Sequence, residues 1–192
     1  MEEGLQIALS IGYGTVWAYT WRTIKLLRTL LSEFIRWPLQ SVAHPIEGGH
    51  RVFRHCIGFI DGSNIDKPMV DPEAYFSRKK NYGFNLQAIC NWEGRFIWAS
   101  MAHTASAHDW PAWKSTALYQ AIESYFHPEE YLLADKAYAL ERHIITPYKE
   151  PTTRQPLFNY ALSIPQVKIE HAVGVLKVRC TTLYEIQMYL YG

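Results

Sequence analysis

Three acidic residues in this chain stand where a charge is both costly and chemically useful. Asp61 follows the apolar run Ile57-Gly58-Phe59-Ile60, Asp135 follows Tyr131-Leu132-Leu133-Ala134, and Glu170 lies early in the helical stretch from Val167 to Lys177. Short apolar runs bounded by turn residues predict buried strands. A carboxylate at the mouth of such a strand is too expensive to keep as an unpaired charge. A pair of divalent ions between the acids answers that cost, because hard cations take carboxylate oxygens and retain waters, one of which can become a nucleophile. Two such ions clamp the attacking and leaving oxygens of an in-line displacement at phosphorus. Each acid also has a plain reading: Asp61 before Gly62 and Ser63 as a turn, Asp135 as a strand end, and Glu170 as a solvated helix position.

The elements that must position these acids follow from periodicity. Thr15 to Trp37 reads as one amphipathic helix, with Val16, Thr20, Ile24, Leu27, Leu31 and Phe34 on a single face, Thr15 as its N-cap and Pro38 as its stop. Leu5 to Ile11 reads as the end of an earlier helix, and Gly12-Tyr13-Gly14 as a turn, which is the layout of a helix-turn-helix. A helical hairpin covering the core fits the same residues. Cys56–Ile60, Phe84–Cys90 and Arg95–Met101 are expected strands, with Asn91-Trp92-Glu93-Gly94 as the hairpin turn. Asp109, followed by Trp110 and Pro111, is expected to cap a helix running to about Phe126. Tyr131–Asp135 is a fourth strand. Leu140 to Asn159, with Pro147, Pro151 and Pro156, is expected to be mostly loop. The Glu170 helix should then start from a capping box at Ser163 and Gln166, with Pro165 in its first turn.

Composition bounds the rest. At 192 residues, 48% hydrophobic and 15% aromatic, the chain has ample material for one packed domain with a small appendage. No apolar stretch has the roughly 18 residues of a membrane span, and the Met1-Glu2-Glu3 start lacks the basic region of a secretory signal. Cys56, Cys90 and Cys180 are odd in number and unclustered, which indicates neither a disulfide framework nor a zinc site and fits a reducing compartment. Net charge is only +1, so any affinity for nucleic acid must come from local clusters of Lys and Arg. The compact ones are Arg78-Lys79-Lys80, Lys177 with Arg179, and Arg22, Lys25 and Arg28 on the N-terminal helix.

The segments Ile60-Asp61-Gly62-Ser63-Asn64-Ile65, Tyr82-Gly83-Phe84-Asn85-Leu86-Gln87, Ala107-His108-Asp109, Leu132 to Tyr138 and Ile169 to Lys177 resemble, in order, the DDE domain of PIF/Harbinger-type transposases. The likeness runs from about Trp37 to Leu183. It implies an RNase H-like α/β fold, a mixed sheet flanked by helices, over residues 50–192. A partial helix-turn-helix over residues 1–40 precedes it, and the domain is expected to be cut short at its C-terminus. It implies Asp61, Asp135 and Glu170 as catalytic and metal-binding acids for Mg²⁺ or Mn²⁺, with Asp61 bridging two ions, Asp135 on one and Glu170 on the other. It makes His108 and Asp109 candidate supporting residues, and Arg78, Lys79, Lys80, Lys177 and Arg179 candidate DNA contacts. A nuclear, metal-dependent nuclease acting on DNA is the expected function, with a Myb-like DNA-binding partner protein and a homo-oligomer as further expectations. The chain departs from the family's usual pattern at Pro165-Gln166, where an Arg is common, and at Lys136, where a small residue is common. These departures also suit a different class, a silent domesticated module that binds DNA or protein. An RNase H-like nuclease acting on RNA fits the same acids.

Overall fold

Neighbouring residues of the apolar runs go to opposite sides of one sheet, which is why those runs are continuous rather than alternating. Ile60, Ile89, Leu132 and Ala134 join Trp113, Leu118, Phe126, Tyr138 and Ile144 on one side. Their neighbours Phe59, Cys90 and Leu133 pack with Leu162, Ile169 and Val173 on the other. The computed structural model describes residues 12–38, 53–66 and 83–179. The chain divides into two compact units, Met1–Arg36 and Trp37–Gly192.

The sheet has five strands, β1 (Cys56–Asp66), β2 (Gly83–Cys90), β3 (Phe96–Thr104), β4 (Tyr131–Ala134) and β5 (Ile144–Ile145), in the order β3-β2-β1-β4-β5. The first three form an antiparallel meander, while β4 lies parallel to β1 and β5 parallel to β4. The β2–β3 turn is made as expected: Asn91 Oδ1 accepts from the backbone N–H of Glu93 and of Arg95, each at 3.0 Å, and Gly94 takes the left-handed φ of 77° that glycine adopts without strain. β1 is longer than its apolar run. It continues through Asp61 to Asp66 because Gly62, Ser63 and Asn64, weak strand formers on their own, are held in register against Gln87, Leu86 and Asn85 of β2. Asp61 therefore lies within a strand and not at its end.

Three helical expectations are corrected. The single helix from Asp109 to Phe126 is three short ones, α2 (Asp109–Lys114), α3 (Ala117–Gln120) and α4 (Ile122–Tyr125). Thr116 makes the first break, donating its hydroxyl to Trp113 O at 2.7 Å and accepting from Tyr119 N at 3.2 Å. Local bonding of this kind competes with the helical ladder. Replacing this cap, Thr116→Ala, is expected to cost about 1 kcal/mol in urea denaturation. The second correction concerns 140–159, which contains β5 and the start of α5 (Gln155–Arg179). Pro156 is tolerated there because first-turn N–H groups have no intrahelical partner. The capping interaction lies at Thr152 and Gln155, not Ser163 and Gln166: Gln155 Oε1 accepts from Thr152 N at 2.8 Å. Ser163 bonds Tyr160 O inside the helix, and Pro165 is buried in the helix interior.

In the first unit, α1 (Tyr13–Phe34) follows Gly12 as N-cap with no side-chain bond, so Thr15 lies inside the helix rather than capping it. Val16 is buried, whereas Ile24, Leu27, Leu31 and Phe34 are exposed. Residues 1–11, where the earlier helix of the expected pair falls, lie outside the described residues. Among the described residues, no helix is long and apolar enough to cross a membrane.

Candidate active site

The last β1–β4 pair is Ile60 with Ala134, and the next residue on each chain is an aspartate. Residues paired across neighbouring strands share a face, so Asp61 and Asp135 sit together on the side of Phe59 and Leu133. Helix α5 covers that side. Ile169 and Val173 are buried against Phe59, Cys90 and Leu133, and Leu176 packs on Ile65, Leu86 and Ala88. This seating leaves Glu170 exposed on the flank of the helix.

Electrostatics separates the acids. Burial raises the Asp61 carboxyl from an ordinary 3.8 to about 7; the charges of Asp135 and then Asp109 push the same way, the Gly62 N–H opposes them, and Glu170 contributes least. Burial also raises Asp135, against the Ala137 N–H, which bonds Oδ1 at 2.8 Å; Asp109 adds to the rise and Lys136 opposes it weakly. Lys136 is exposed and is no permanent counter-ion between the aspartates. Among the described residues, none of Asp61, Asp135 and Glu170 is in an ion pair.

Asp109 does not cap its helix. The N-cap is His108, which makes no side-chain cap bond, and Asp109 is the first helical residue. Its Oδ1 instead accepts from Asn85 Nδ2 at 2.9 Å and from Gln87 Nε2 at 3.1 Å on β2. Gln87 also donates to Asn85 Oδ1 at 2.7 Å and accepts from the Tyr138 hydroxyl at 2.6 Å. Burial, then Asp109, Asp61 and Asp135, raise the Tyr138 phenol well above its usual range. Asn85, Gln87 and Tyr138 were not singled out from the sequence. The available signal was a pair of amides two residues apart in an otherwise apolar strand, which must be satisfied if buried.

The remaining sequence candidates divide. Arg78, Lys79 and Lys80 lie outside the described residues. Lys177 Nζ donates to Ser63 Oγ at 2.8 Å, tying α5 to the strand residue two beyond Asp61. Arg179 is exposed and joins Phe96, Val167, Val175 and Leu176 around an open apolar groove of about 680 Å³ that neither Asp61 nor Asp135 lines. Space stands open around Gly174, one turn beyond Glu170.

The oxygen donors of Asp61 and Asp135 fit a hard divalent cation: they are adjacent, partly desolvated and without an ion-pair partner among the described residues. The described residues do not, however, bring three or more His, Cys, Asp or Glu together closely enough to hold an ion. The fit thus rests on the aspartate pair, and Glu170 is not assembled with it.

A five-stranded mixed sheet flanked by helices, with Asp61 in β1 beside Asp135 just past the end of the parallel β4, is consistent with a DDE nuclease fold. The family model for DDE superfamily endonucleases matches residues 60–190. The chain belongs to that family, and the Harbinger-type likeness of its motifs holds. It is 24% identical over 189 residues to "Protein ALP1-like" of Arabidopsis thaliana, covering 86% of this chain and 46% of that protein. It is 26% identical over 126 residues to "Putative nuclease HARBI1" of Xenopus laevis, covering 64% of this chain and 36% of that protein. The chain thus spans less than half the length of these curated relatives. No solved structure matches it significantly.

Proposed function

We propose that the domain is a divalent-metal-dependent DNA endonuclease of the transposase type, acting in the nucleus. The observation that carries this reading is the Asp61–Asp135 pair, partly desolvated, neutralised by no ion pair among the described residues, and located inside an endonuclease family match. Asp61 and Asp135 would hold Mg²⁺ or Mn²⁺, with Glu170 as the third acid. The ion's contribution is to acidify a bound water and stabilise the leaving oxygen. The chain's own residues do the rest. Asp61 and Asp135 present unneutralised oxygens on a rigid sheet, Ala137 N–H holds one Asp135 oxygen, and Lys177 ties the acid-bearing helix to β1 at Ser63. Arg78, Lys79, Lys80, Lys177 and Arg179 are the DNA contacts of this reading. Recruitment through a Myb-like DNA-binding partner, and a homo-oligomer that presents two such centres, belong to the same proposal.

The test is nicking of supercoiled plasmid with Mg²⁺ or Mn²⁺, with parallel arms of RNA and of hybrid duplex. Loss of a residue that merely supports a metal ligand costs 10- to 100-fold, so Asp61→Ala and Asp135→Ala are each expected to lose about 100-fold or more. Equal nicking by wild type and both variants defeats the proposal; cleavage confined to RNA or hybrid defeats its DNA assignment.

A further inference from the structure

We propose that Asp109 is the positioning acid of the Asp61–Asp135 centre, a fixed negative charge seated against β1 at Gly62 that strengthens the hold of the two aspartates on a divalent cation. The inference deepens the endonuclease reading and rests on it.

The seat is built from several directions. A side chain at residue 62 is excluded, since a β-carbon there would stand 1.8 Å from Asp109 Oδ1 and 2.7 Å from Gln87 Nε2. Gly62 faces the side of the sheet opposite Asp61, so the Asp109 carboxylate acts on the two aspartates from across β1, with no side chain at residue 62 in between. From β2, Asn85 and Gln87 grip Oδ1 with two amide N–H groups, and both amides are almost wholly buried, at 2% and 1% exposure. From the segment after β4, Tyr138 holds Gln87 through its hydroxyl, linking Asp109 to the stretch that follows Asp135. On the outer side, β3 is bulged at this level: Asn85 pairs with His103 and Gln87 with Ser100, so Met101 and Ala102 stand opposite Leu86 alone. Bulges of this kind re-aim side chains beside functional sites.

Two buried amides in a central strand are costly unless satisfied, and here each gives one of its bonds to the same carboxylate oxygen, the others going to Ala107 O and Asn85 Oδ1. The grip is neutral, so the negative charge of Asp109 is oriented but not cancelled. Its second oxygen accepts no hydrogen bond from any described residue. A helix cap needs none of this, because an N-cap side chain bonds the N–H groups of its own helix. The charge stands against Gly62, the neighbour of Asp61 in β1, and through Gln87 it is tied to Tyr138, three residues beyond Asp135. Asp109 therefore works through the two aspartates, drawing a cation toward the pair without itself completing a three-acid cluster.

The experiment is calorimetric titration of Mn²⁺ alone into the metal-free whole chain, for wild type, Asp61→Asn, Asp109→Asn and Gly62→Ala. Asparagine at 109 keeps the acceptor oxygen and its two amide bonds and loses only the charge. Its metal-free melting temperature is expected to be unchanged or higher, with Mn²⁺ affinity about tenfold weaker, the range typical of residues that orient metal ligands. Gly62→Ala keeps the charge but unseats it, and is expected to weaken Mn²⁺ binding as well. Wild-type affinity in Asp109→Asn overturns the inference, because it would make the role of Asp109 purely structural. Should Asp109→Asn not fold, wild-type affinity in Gly62→Ala overturns it instead. Loss of binding in Asp61→Asn with no change in Asp109→Asn refutes the inference while leaving the endonuclease reading standing. No Mn²⁺ binding by wild type, or undiminished binding by Asp61→Asn, refutes both.

Discussion

Asp61→Asn is expected to stabilise the metal-free protein by roughly 2–4 kcal/mol at pH 8 and to leave it unchanged at pH 3. The carboxyl titrates near 3.8 in the unfolded chain and at about 7 in the fold. Between those values the native state keeps a proton that the unfolded state has released, so stability falls as pH rises through the window. At about 1.4 kcal/mol for each pH unit the penalty comes to slightly more than about 4 kcal/mol, less what the partial exposure of Asp61 returns to solvent. An amide has no charge to desolvate or to set against Asp135 and Asp109, so the variant escapes the penalty. Urea denaturation with chelator at the two pH values measures the difference. Saturating Mg²⁺ is expected to narrow it by stabilising wild type only, as any ligand that binds the native state does. Equal stability of wild type and variant at pH 8 would show that Asp61 is not under electrostatic stress.

Gly62→Ala is expected to destabilise the sheet beside the acids. The new carbon overlaps Asp109 Oδ1 at 1.8 Å and approaches Gln87 Nε2 at 2.7 Å. Asp109 cannot retreat at small cost, because leaving strips Asn85 and Gln87 of their shared acceptor. Overpacking typically costs about 1–3 kcal/mol, and losing the amide bonds to Asp109 adds about 1–3 kcal/mol more, although Gln87 keeps Asn85 Oδ1 and Asn85 keeps Ala107 O as acceptors. The expected loss is therefore roughly 3 kcal/mol in urea denaturation, against a change near zero for Gly174→Ala, where a β-carbon meets only open space. A Gly62→Ala protein as stable as wild type would mean that the Asp109 seat is soft.

The sheet was legible because both its faces are covered. That turns strands into unbroken apolar runs, and Asn91 to Gly94 announces the turn between β2 and β3 by residue type alone. The continuation of β1 past Ile60 was hidden, since Asp61 to Asn64 have poor strand propensity and are extended only because β2 holds them. Thr116 concealed the break after α2, because its hydroxyl acts on backbone groups that no periodicity marks. Pro156 and Pro165 read as loop and helix start, while the fold keeps both inside one helix whose burial of Leu162, Ile169 and Val173 outweighs local preference. In the candidate site, Asp61 and Asp135 were visible as acids ending apolar runs. Asp109 was named for the site through the family likeness alone; its bonds to Asn85 and Gln87 were not legible, because those are ordinary polar letters until β2 is seen to be buried on both sides.

Pro165 gives α5 the mechanics of a jointed lever. Proline has no N–H, so the ladder bond that would tie residue 165 to Ala161 is missing from the ground state. A helix bends most readily where a rung is already absent. The joint lies between Leu162, which anchors the first arm, and the second arm with Glu170. A change of tilt at the joint costs some sliding of Ile169 and Val173 in the core, with no further helical hydrogen bond broken. Glu170 rides on that second arm, so its position relative to the sheet follows the angle of the helix at Pro165.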